Sequence, residues 1–423
     1  MRGPLSLLLL LALVAVAAVG AFGVPWLGHD GPTMRDAQAV VHRVREDAPQ
    51  LFMGPEELAS AQGFGLEAHT VRTEDGYLLT LHRLAPPATA PAGDEGDRGE
   101  PVLLVHGIFC ASDLWLLTPR HHALAFLLAD KGYDVWLANL RGNPYSRRHE
   151  SLSTQDLAFW NFSWHEMGVY DLPACMDLIL KATRRERLFY VGHSMGNTAY
   201  YAMAAARPDV GARVRLHVGL APAVFMAHIP NQVARVAARS GDRIVRALES
   251  SHAPELLPAS AARTALLFLS CQPHASRALC RRTFEMTYGP AHPAFNESLI
   301  PFYAAHVLQS SSARTPGHFA QLVLSGRFRQ WDEGSAEGNQ RRYGRPEPPD
   351  YDLGLVSAPS AIFYSDDDLA VSPTDVEHLM SLQKNVVYQL KVPDRPYNHM
   401  DFLWTPSAVQ TLYDPIFKLL AQF

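Results

Sequence analysis

Residues 187–201 read RLFYVGHSMGNTAYY, and this stretch decides the fold. The apolar run 188–191 is typical of a buried strand, and residues 197–206 are typical of a helix. Between them, Gly192-His193-Ser194-Met195-Gly196 matches G-x-S-x-G, in which a serine sits on a sharp strand-to-helix turn with its hydroxyl exposed. The pentapeptide alone is weak, but strand, turn and helix follow in the order that such a turn requires. We therefore predict that Ser194 is a nucleophile.

Short apolar runs alternate with helical stretches on both sides of this turn. This alternation predicts a mainly parallel sheet with helices on both faces, an α/β fold. Residues 69–84 alternate around Glu74-Asp75-Gly76, which predicts a hairpin. The hairpin and six further runs give about eight strands; the runs are 102–106, 134–139, 188–192, 216–221, 361–365 and 386–392.

About 130 residues, from 226 to 356, interrupt the alternation. A crossover between parallel strands needs only about a dozen residues, so the excess predicts a separate inserted layer. We expect a mainly helical cap over the carboxyl ends of the strands, where such sheets bind ligands. The expected core then has two parts, residues 24–225 and 357–423.

The first 23 residues indicate the compartment. Arg2 precedes an apolar run over 5–19 and several small residues, which predicts a cleaved signal peptide at 1–23. A signal anchor is the alternative, although the strong run is short for a bilayer span. No other stretch is apolar enough to cross a membrane, so we expect no transmembrane segment in the mature chain.

Composition excludes several classes of protein. Lys and Arg total 37 against 42 Asp and Glu, a net charge of −5, and no basic cluster is interleaved with aromatic residues, so nucleic-acid binding is not expected. Hydrophobic residues make up 48%, too many for a disordered chain. Four cysteines are too few for a disulfide scaffold.

A serine nucleophile on such a turn is followed in the chain by an acid and then a histidine. The run 361–365 leads into three consecutive aspartates at 366–368, and any of them could be the acid. His399, in PYNHMDFLW after the last strand, is the candidate base. His378 lies in a helical pattern and is expected on the surface, and Asp401 is expected to be structural.

The loop after the first parallel strand supplies the remaining chemistry. Residues 102–105 run into His106-Gly107-Ile108. An amide from this loop and the amide after the nucleophile would bind an oxyanion, which nominates the backbone N–H groups of Ile108 and Met195. His106 is expected to shape the loop. No metal-ligand cluster of histidines and carboxylates occurs, so we expect no metal and no organic cofactor.

Longer stretches carry a resemblance that the pentapeptide cannot. They read LLVHGIFCASDLW, LADKGYDVWLANLRGNPYSRRH, FWNFSWHEMGVYDLPA, YVGHSMGNT, LAVSPTDV and YNHMDFLW. Through them the chain resembles the acid lipases, which include lysosomal acid lipase, gastric lipase and arthropod lipases, from about residue 68 to the C-terminus. The resemblance implies an α/β-hydrolase fold with Ser194 as nucleophile, Asp368 as acid and His399 as base.

This chain departs from the family pattern at three positions. Met195 stands where Gln is frequent, Ile108 where Leu is usual, and Ser372 where many members carry Asp. None of these changes removes a catalytic group, since the first two positions act through backbone amides.

The resemblance further implies a serine lipase that hydrolyses neutral lipid esters, triacylglycerol or steryl ester, through an acyl-enzyme at an aggregate or membrane surface. A secreted or lysosomal destination would follow. A carboxylesterase for smaller esters and a non-catalytic lipid-binding α/β-hydrolase are the alternatives.

The cysteines and sequons complete the expectations. The resemblance implies a disulfide between Cys271 and Cys280 in the insertion, and Cys110 and Cys175 are expected to be buried thiols. Of two glycosylation sequons, Asn296 is favoured over Asn161, which lies in an aromatic-rich stretch that is expected to be partly buried.

Overall fold

The computed structural model describes residues 34–85, 98–271 and 274–423. The predicted signal peptide at 1–23 lies outside the described residues. Within them, no helix combines the length and hydropathy needed to cross a bilayer.

A single large sheet forms the centre of the fold. Its strands are β1 Gly65–Arg72, β2 Tyr77–Ala85, β3 Pro101–Val105, β4 Asp134–Leu137, β5 Arg148–His149, β6 Leu188–His193, β7 Val214–Leu220, β10 Ser360–Tyr364 and β11 Val386–Lys391, with β8 Glu255–Leu256 and β9 Ser311–Ser312 in a separate pair.

The strands of the large sheet lie in the order β1-β2-β4-β3-β6-β7-β10-β11. Strands β1 and β2 form the predicted hairpin, β2 also pairs antiparallel with β4, and the other neighbours on this path are parallel. The predicted eight-stranded, mainly parallel sheet is thus confirmed, with a short ninth strand, β5, beside β2.

Helices cover both faces of this sheet. The central strands β3, β4 and β6 are buried along their whole length, as expected when both faces are packed, whereas the edge strand β11 alternates between partly buried and exposed. The main helices are α1 Met34–Asp47, α2 Pro55–Ala61, α3 Leu124–Asp130, α4 Leu172–Thr183, α5 Met195–Ala206, α6 Gln232–Ala238, α7 Gly241–Ser250, α8 Ala261–Cys271, α9 His274–Tyr288, α10 Ile300–Val307, α11 Arg314–Ser325, α12 Ala336–Tyr343, α13 Pro373–Ser381 and α14 Asp414–Gln422.

The segment between β7 and β10 is mainly helical and carries α6 to α12 with the small β8–β9 pair. Two hydrogen bonds attach it to the loop that follows β3. The Gln309 amide donates to the Phe109 carbonyl at 2.9 Å, and His306 Nδ1 lies 2.9 Å from Asp113 Oδ2. The inserted segment therefore meets the sheet at the carboxyl ends of its parallel strands.

The first described helix packs on this inserted segment. Val44 of α1 and the following Ala48 and Leu51 form a small buried cluster with Ala265 of α8 and Ala305 of α10. Sequence analysis assigned residues 24–225 to the core, and Val44, Ala48 and Leu51 with them. Nothing in the local sequence of α1 specifies which surface the helix will cover.

Candidate active site

Ser194 occupies a strained turn between β6 and α5. Its φ is +53° and its ψ is −117°, a conformation that side-chain-bearing residues rarely adopt. The flanking glycines make the turn possible. A Cβ on Gly192 would lie 2.8 Å from Asn197 Oδ1, and a Cβ on Gly196 would lie 2.4 Å from the Val105 carbonyl oxygen. Both positions of the motif therefore need glycine for packing.

Asn197, which sequence analysis did not single out, holds this turn together. Its side chain is fully buried, and Nδ2 donates to the carbonyls of Gly192, Ser194 and Leu220 at 3.0–3.3 Å. These bonds join the end of β6, the turn and the end of β7, in addition to the backbone amides that the carbonyls of Ser194 and Leu220 already accept. A buried amide in the first turn of the helix after the serine was the available signal.

The structure brings Asp368 and His399 together. Asp368 Oδ2 lies 2.7 Å from His399 Nδ1, and both side chains are buried. Asp368 Oδ1 accepts the amides of Ala370 and Val371 at 2.7 and 2.9 Å, which fixes the carboxylate. A proton on Nδ1 bound to the carboxylate leaves Nε2 of His399 unprotonated, as a general base requires.

The other two aspartates of the triplet are engaged elsewhere. Asp366 pairs with Lys391 at 2.7 Å, and Asp367 pairs with Arg395 at 2.8 Å. Both cations are exposed side chains. Of the three carboxylates that the sequence left open, only Asp368 therefore faces the histidine.

Ser194 and His399 line one cavity of about 430 Å³ beneath the inserted segment. Ile108 and Phe109 form another part of its wall. Ser194 and His399 share this cavity without being hydrogen-bonded to each other. The remaining lining is largely apolar and comes mainly from α6, α7 and α11, with Ala234, Ala237, Ile244, Val245, Leu248, Phe319 and Val323 as examples.

The two predicted oxyanion donors lie on adjacent loops. Val105 at the end of β3 pairs with Gly192 of β6, so the loop carrying Ile108 runs beside the turn that carries Met195. Neither amide donates to another group in the described part of the chain. Phe109 follows with a φ of +56°, and its carbonyl is held by the Gln309 amide. Two unpaired donors thus lie on the two loops that meet at this cavity.

Two buried histidines, His106 and His193, belong to these two loops, and both are neutral. Burial lowers the pKa of His106 to about 4, and burial together with the neighbouring His399 lowers the pKa of His193 to about 3. His106 Nε2 accepts the Leu140 amide at 3.2 Å, and its Nδ1 lies 2.7 Å from the Gly107 carbonyl. His106 therefore shapes the loop, as the sequence suggested.

The long stretches around residues 141 and 171 form a buried charge cluster away from the cavity. Arg141 contacts Asp75 at 2.6 Å through Nη1 and Asp171 at 2.8 Å through Nε. Burial raises the pKa of Asp171 to about 6 in spite of this pairing. The role of these motifs in the fold is to anchor the β1–β2 hairpin to the helix that begins near Asp171.

Cys271 and Cys280 form a disulfide that joins α8 to α9. Cys110 and Cys175 are free and buried, and burial raises the pKa of both thiols. Among the described residues, no group of three histidines, cysteines or carboxylates could hold a metal ion.

Both sequon asparagines are exposed. The expected partial burial of the aromatic-rich stretch around Asn161 is confirmed, although Asn161 itself is exposed. Its neighbours Trp160 and Phe162 are buried. Asn161 follows the last residue of the short helix Leu157–Trp160, and its side chain points outward. Asn296 Oδ1 accepts the Ser298 amide at 3.1 Å in an exposed turn.

Two family descriptions match this chain. Residues 100–406 match the alpha/beta hydrolase fold family, and residues 55–119 match a partial alpha/beta-hydrolase lipase region. A crystal structure from Sulfolobus solfataricus shares the fold with a TM-score of 0.56 at 12% identity, covering 85% of this chain and 95% of that one.

Sequence relatives agree with these matches. The chain is 35% identical to Lipase 1 of Drosophila melanogaster, over 87% of this chain and 79% of the relative. It is 32% identical to bovine gastric triacylglycerol lipase, over 88% and 92%, and 32% identical to human lysosomal acid lipase/cholesteryl ester hydrolase, over 89% and 92%. The chain therefore belongs to the lipase family of α/β-hydrolases.

Proposed function

We propose that this protein is a serine lipase that hydrolyses neutral lipid esters through an acyl-enzyme. The observation that carries the proposal is one largely apolar cavity that both Ser194 and His399 line. A nucleophile with an adjacent base, oriented by a carboxylate at 2.7 Å, is the arrangement of serine acyl transfer.

In the proposed acylation step, His399 Nε2 takes the hydroxyl proton of Ser194 as Oγ attacks the ester carbonyl carbon. The amides of Ile108 and Met195 bind the oxyanion that forms. Collapse of this intermediate breaks the bond to the alcohol oxygen, which leaves with the proton from His399.

Water then completes the cycle. His399 takes a proton from the water as its oxygen attacks the acyl carbonyl carbon, and collapse returns that proton to Ser194 Oγ. A fatty acid leaves and the free enzyme is restored. Neither step consumes a cofactor.

We further propose that residues 226–356 act as a cap that binds acyl chains. The helices α6, α7 and α11 supply most of the apolar cavity lining, which suits a hydrocarbon chain better than a polar substituent. Substrate presented at an aggregate or membrane surface would enter from this side, and movement of the cap would control access.

The names of the relatives support triacylglycerol or steryl ester as substrate and a secreted or lysosomal destination. Hydrolysis of triolein and cholesteryl oleate, measured at acidic and at neutral pH, distinguishes the two substrates. A series of esters of increasing acyl length tests the class, because a carboxylesterase would prefer the short members.

Ser194→Ala is the decisive variant. It removes the nucleophile but no packing atom beyond one oxygen, so we expect a folded protein without ester hydrolysis and without labelling by a fluorophosphonate. Turnover at the wild-type rate by this variant would refute the proposal, and a wild-type protein inert toward every ester would favour a non-catalytic lipid binder.

A further inference from the structure

One backbone oxygen connects the loops that carry the acid and the base. The carbonyl of Tyr288, the last residue of α9, accepts the amide of His399 at 3.2 Å and the amide of Leu369 at 3.1 Å. Leu369 directly follows Asp368. The two loops leave different strands of the sheet, whereas Tyr288 belongs to the inserted segment.

The end of α9 explains why these bonds form. The last four carbonyls of a helix have no partner within the helix and need other donors. Here the Gly289 amide binds the Glu285 carbonyl, and Asn231 Nδ2 binds the carbonyls of Met286 and Thr287 at 3.0 and 3.1 Å. The fourth carbonyl, that of Tyr288, accepts the two amides from the loops of the candidate site. The hydrogen-bonding groups at the end of α9 and in these loops are therefore paired with one another.

Gly289 allows this close approach. Its φ is +113°, and a Cβ there would lie 2.1 Å from the carbonyl oxygen of Asp367. The Gly289 carbonyl accepts Asn398 Nδ2 at 3.3 Å, which adds a second bond to the histidine loop. Any larger residue at 289 would push α9 away from the residues that flank the acid and the base.

The neighbouring residues reinforce the same contact. Asp401 Oδ2 accepts the amides of Asn398 and His292 at 2.8 and 3.1 Å, so the histidine loop is bound to the inserted segment on both sides of His399. The ring of Tyr288 also lies parallel to that of His399, with 6.2 Å between centroids.

We propose that the Tyr288–Gly289 turn is a positioning element that sets the placement of His399 relative to Asp368 from the inserted segment. The inference rests on the proposed roles of Ser194, Asp368 and His399. It also assigns α9 to the fixed part of the insertion, because movement of its C-terminal end would pull both loops away from their working positions.

Gly289→Ala tests this inference, with Gly344→Ala as matched control. Gly344 also ends a helix of the insertion, at a φ of +70°, but a Cβ there meets nothing within 4 Å. Both variants carry the backbone cost of alanine at positive φ, and only Gly289→Ala displaces the turn.

For a soluble short-chain ester we expect Gly289→Ala to lower kcat about tenfold or more with KM little changed, because small misplacements of catalytic groups are costly. Gly344→Ala should match the wild type.

A double-mutant cycle with Asp368→Asn separates positioning from general damage. If Gly289 acts through the Asp368–His399 pair, Gly289→Ala should cost less than about twofold once that pair has been broken. Equal fold-losses in both backgrounds would overturn the inference. So would unchanged kcat in a folded Gly289→Ala protein while Ser194→Ala is inactive, and this last comparison keeps the inference separate from the proposed function.

A backbone variant covers the case in which Gly289→Ala does not fold. Replacing Leu369 by its α-hydroxy acid exchanges one amide donor for an ester oxygen and adds no atom that could clash. We expect kcat to fall severalfold and the rate of fluorophosphonate labelling of Ser194 to fall in proportion. Unchanged rates would overturn the inference.

Discussion

His193 Nε2 lies 3.0 Å from the carbonyl oxygen of His399, and the two imidazole rings lie 4.8 Å apart. Because a carbonyl can only accept, Nε2 of His193 carries the proton. The second nitrogen, Nδ1, is buried without a partner. Since burial keeps the pKa of His193 near 3, this residue stays neutral and adds no charge beside His399, the proposed base.

The bond between these two residues predicts a role for the second position of G-x-S-x-G. His193→Phe keeps a planar ring but leaves the buried His399 carbonyl without a donor, at a cost of about 1–3 kcal/mol. We expect a lower melting temperature and a loss of kcat, and His193→Gln, which can donate, should recover part of both. His378→Phe, at an exposed position on α13, is the control. Equal activity of the Phe and Gln variants would contradict the role of the donor.

The three aspartates after β10 should differ sharply in their effect on catalysis. Asp368→Asn should lower kcat by about 10³–10⁴, because the amide no longer orients and stabilises the imidazole as a carboxylate does. Asp366 contacts only exposed cations, so Asp366→Asn should stay within about twofold of the wild type. Steady-state hydrolysis of a soluble ester measures both. Similar losses in the two variants would remove Asp368 from the mechanism.

Asp401 should contribute more to the free energy of unfolding at acidic pH than at neutral pH. Burial raises its pKa to about 7 in the folded state, whereas aspartate in an unfolded chain titrates near 3.9. Between these values the folded state holds a proton that the unfolded state releases. The stabilisation from this proton is therefore complete below about pH 4 and is lost as the pH rises through about 7.

Asp401→Asn tests this dependence because asparagine is uncharged at every pH and keeps an oxygen for the amides of Asn398 and His292. The free energy of unfolding of the wild type, minus that of the variant, should fall by about 1.4 kcal/mol per pH unit between roughly pH 4 and 7. Urea denaturation at four pH values across this range measures it. A difference that does not change with pH would mean that Asp401 is ionised throughout.

The disulfide between Cys271 and Cys280 should stabilise the protein by roughly 2–3 kcal/mol, as expected for a short closed loop in the chain-entropy model. The double variant Cys271→Ser/Cys280→Ser should lower the free energy of unfolding by this amount, and reductant should reproduce the effect in the wild type. The variant itself should not respond to reductant, since Cys110 and Cys175 are free thiols. An equal response in both proteins would show that the bond does not contribute.

Sequence reasoning worked best where local pattern and chain order determine the outcome. The strand-turn-helix at Ser194 and the apolar runs 102–106 and 361–365 needed only periodicity and length. The nomination of His399 as base rested on chain order, whereas the choice of Asp368 over its two neighbours rested on the family resemblance. Within the structure the reason is visible, because Lys391 and Arg395 occupy the other two carboxylates.

The features that sequence reasoning missed depend on contacts between distant parts of the chain. The donors of Asn197, the bond from His193 to His399 and the two amides on Tyr288 all involve backbone carbonyls, which every residue type presents alike. The exposure of Asn161 depends on which way a short helix ends, and the packing of α1 on α8 depends on a surface formed more than 200 residues later.

The parallel pairing of β7 with β10 places Ser360 beside His217, with the whole inserted segment between them in the chain. During synthesis, β7 therefore waits as an unpaired sheet edge until the insertion has been made, and such edges invite aggregation. His399, the proposed base, lies another 39 residues beyond Ser360. A nascent chain thus carries Ser194 before it carries His399. On the roles proposed for these two residues, the membranes of the cell that makes the protein meet no working hydrolase until His399 has been added.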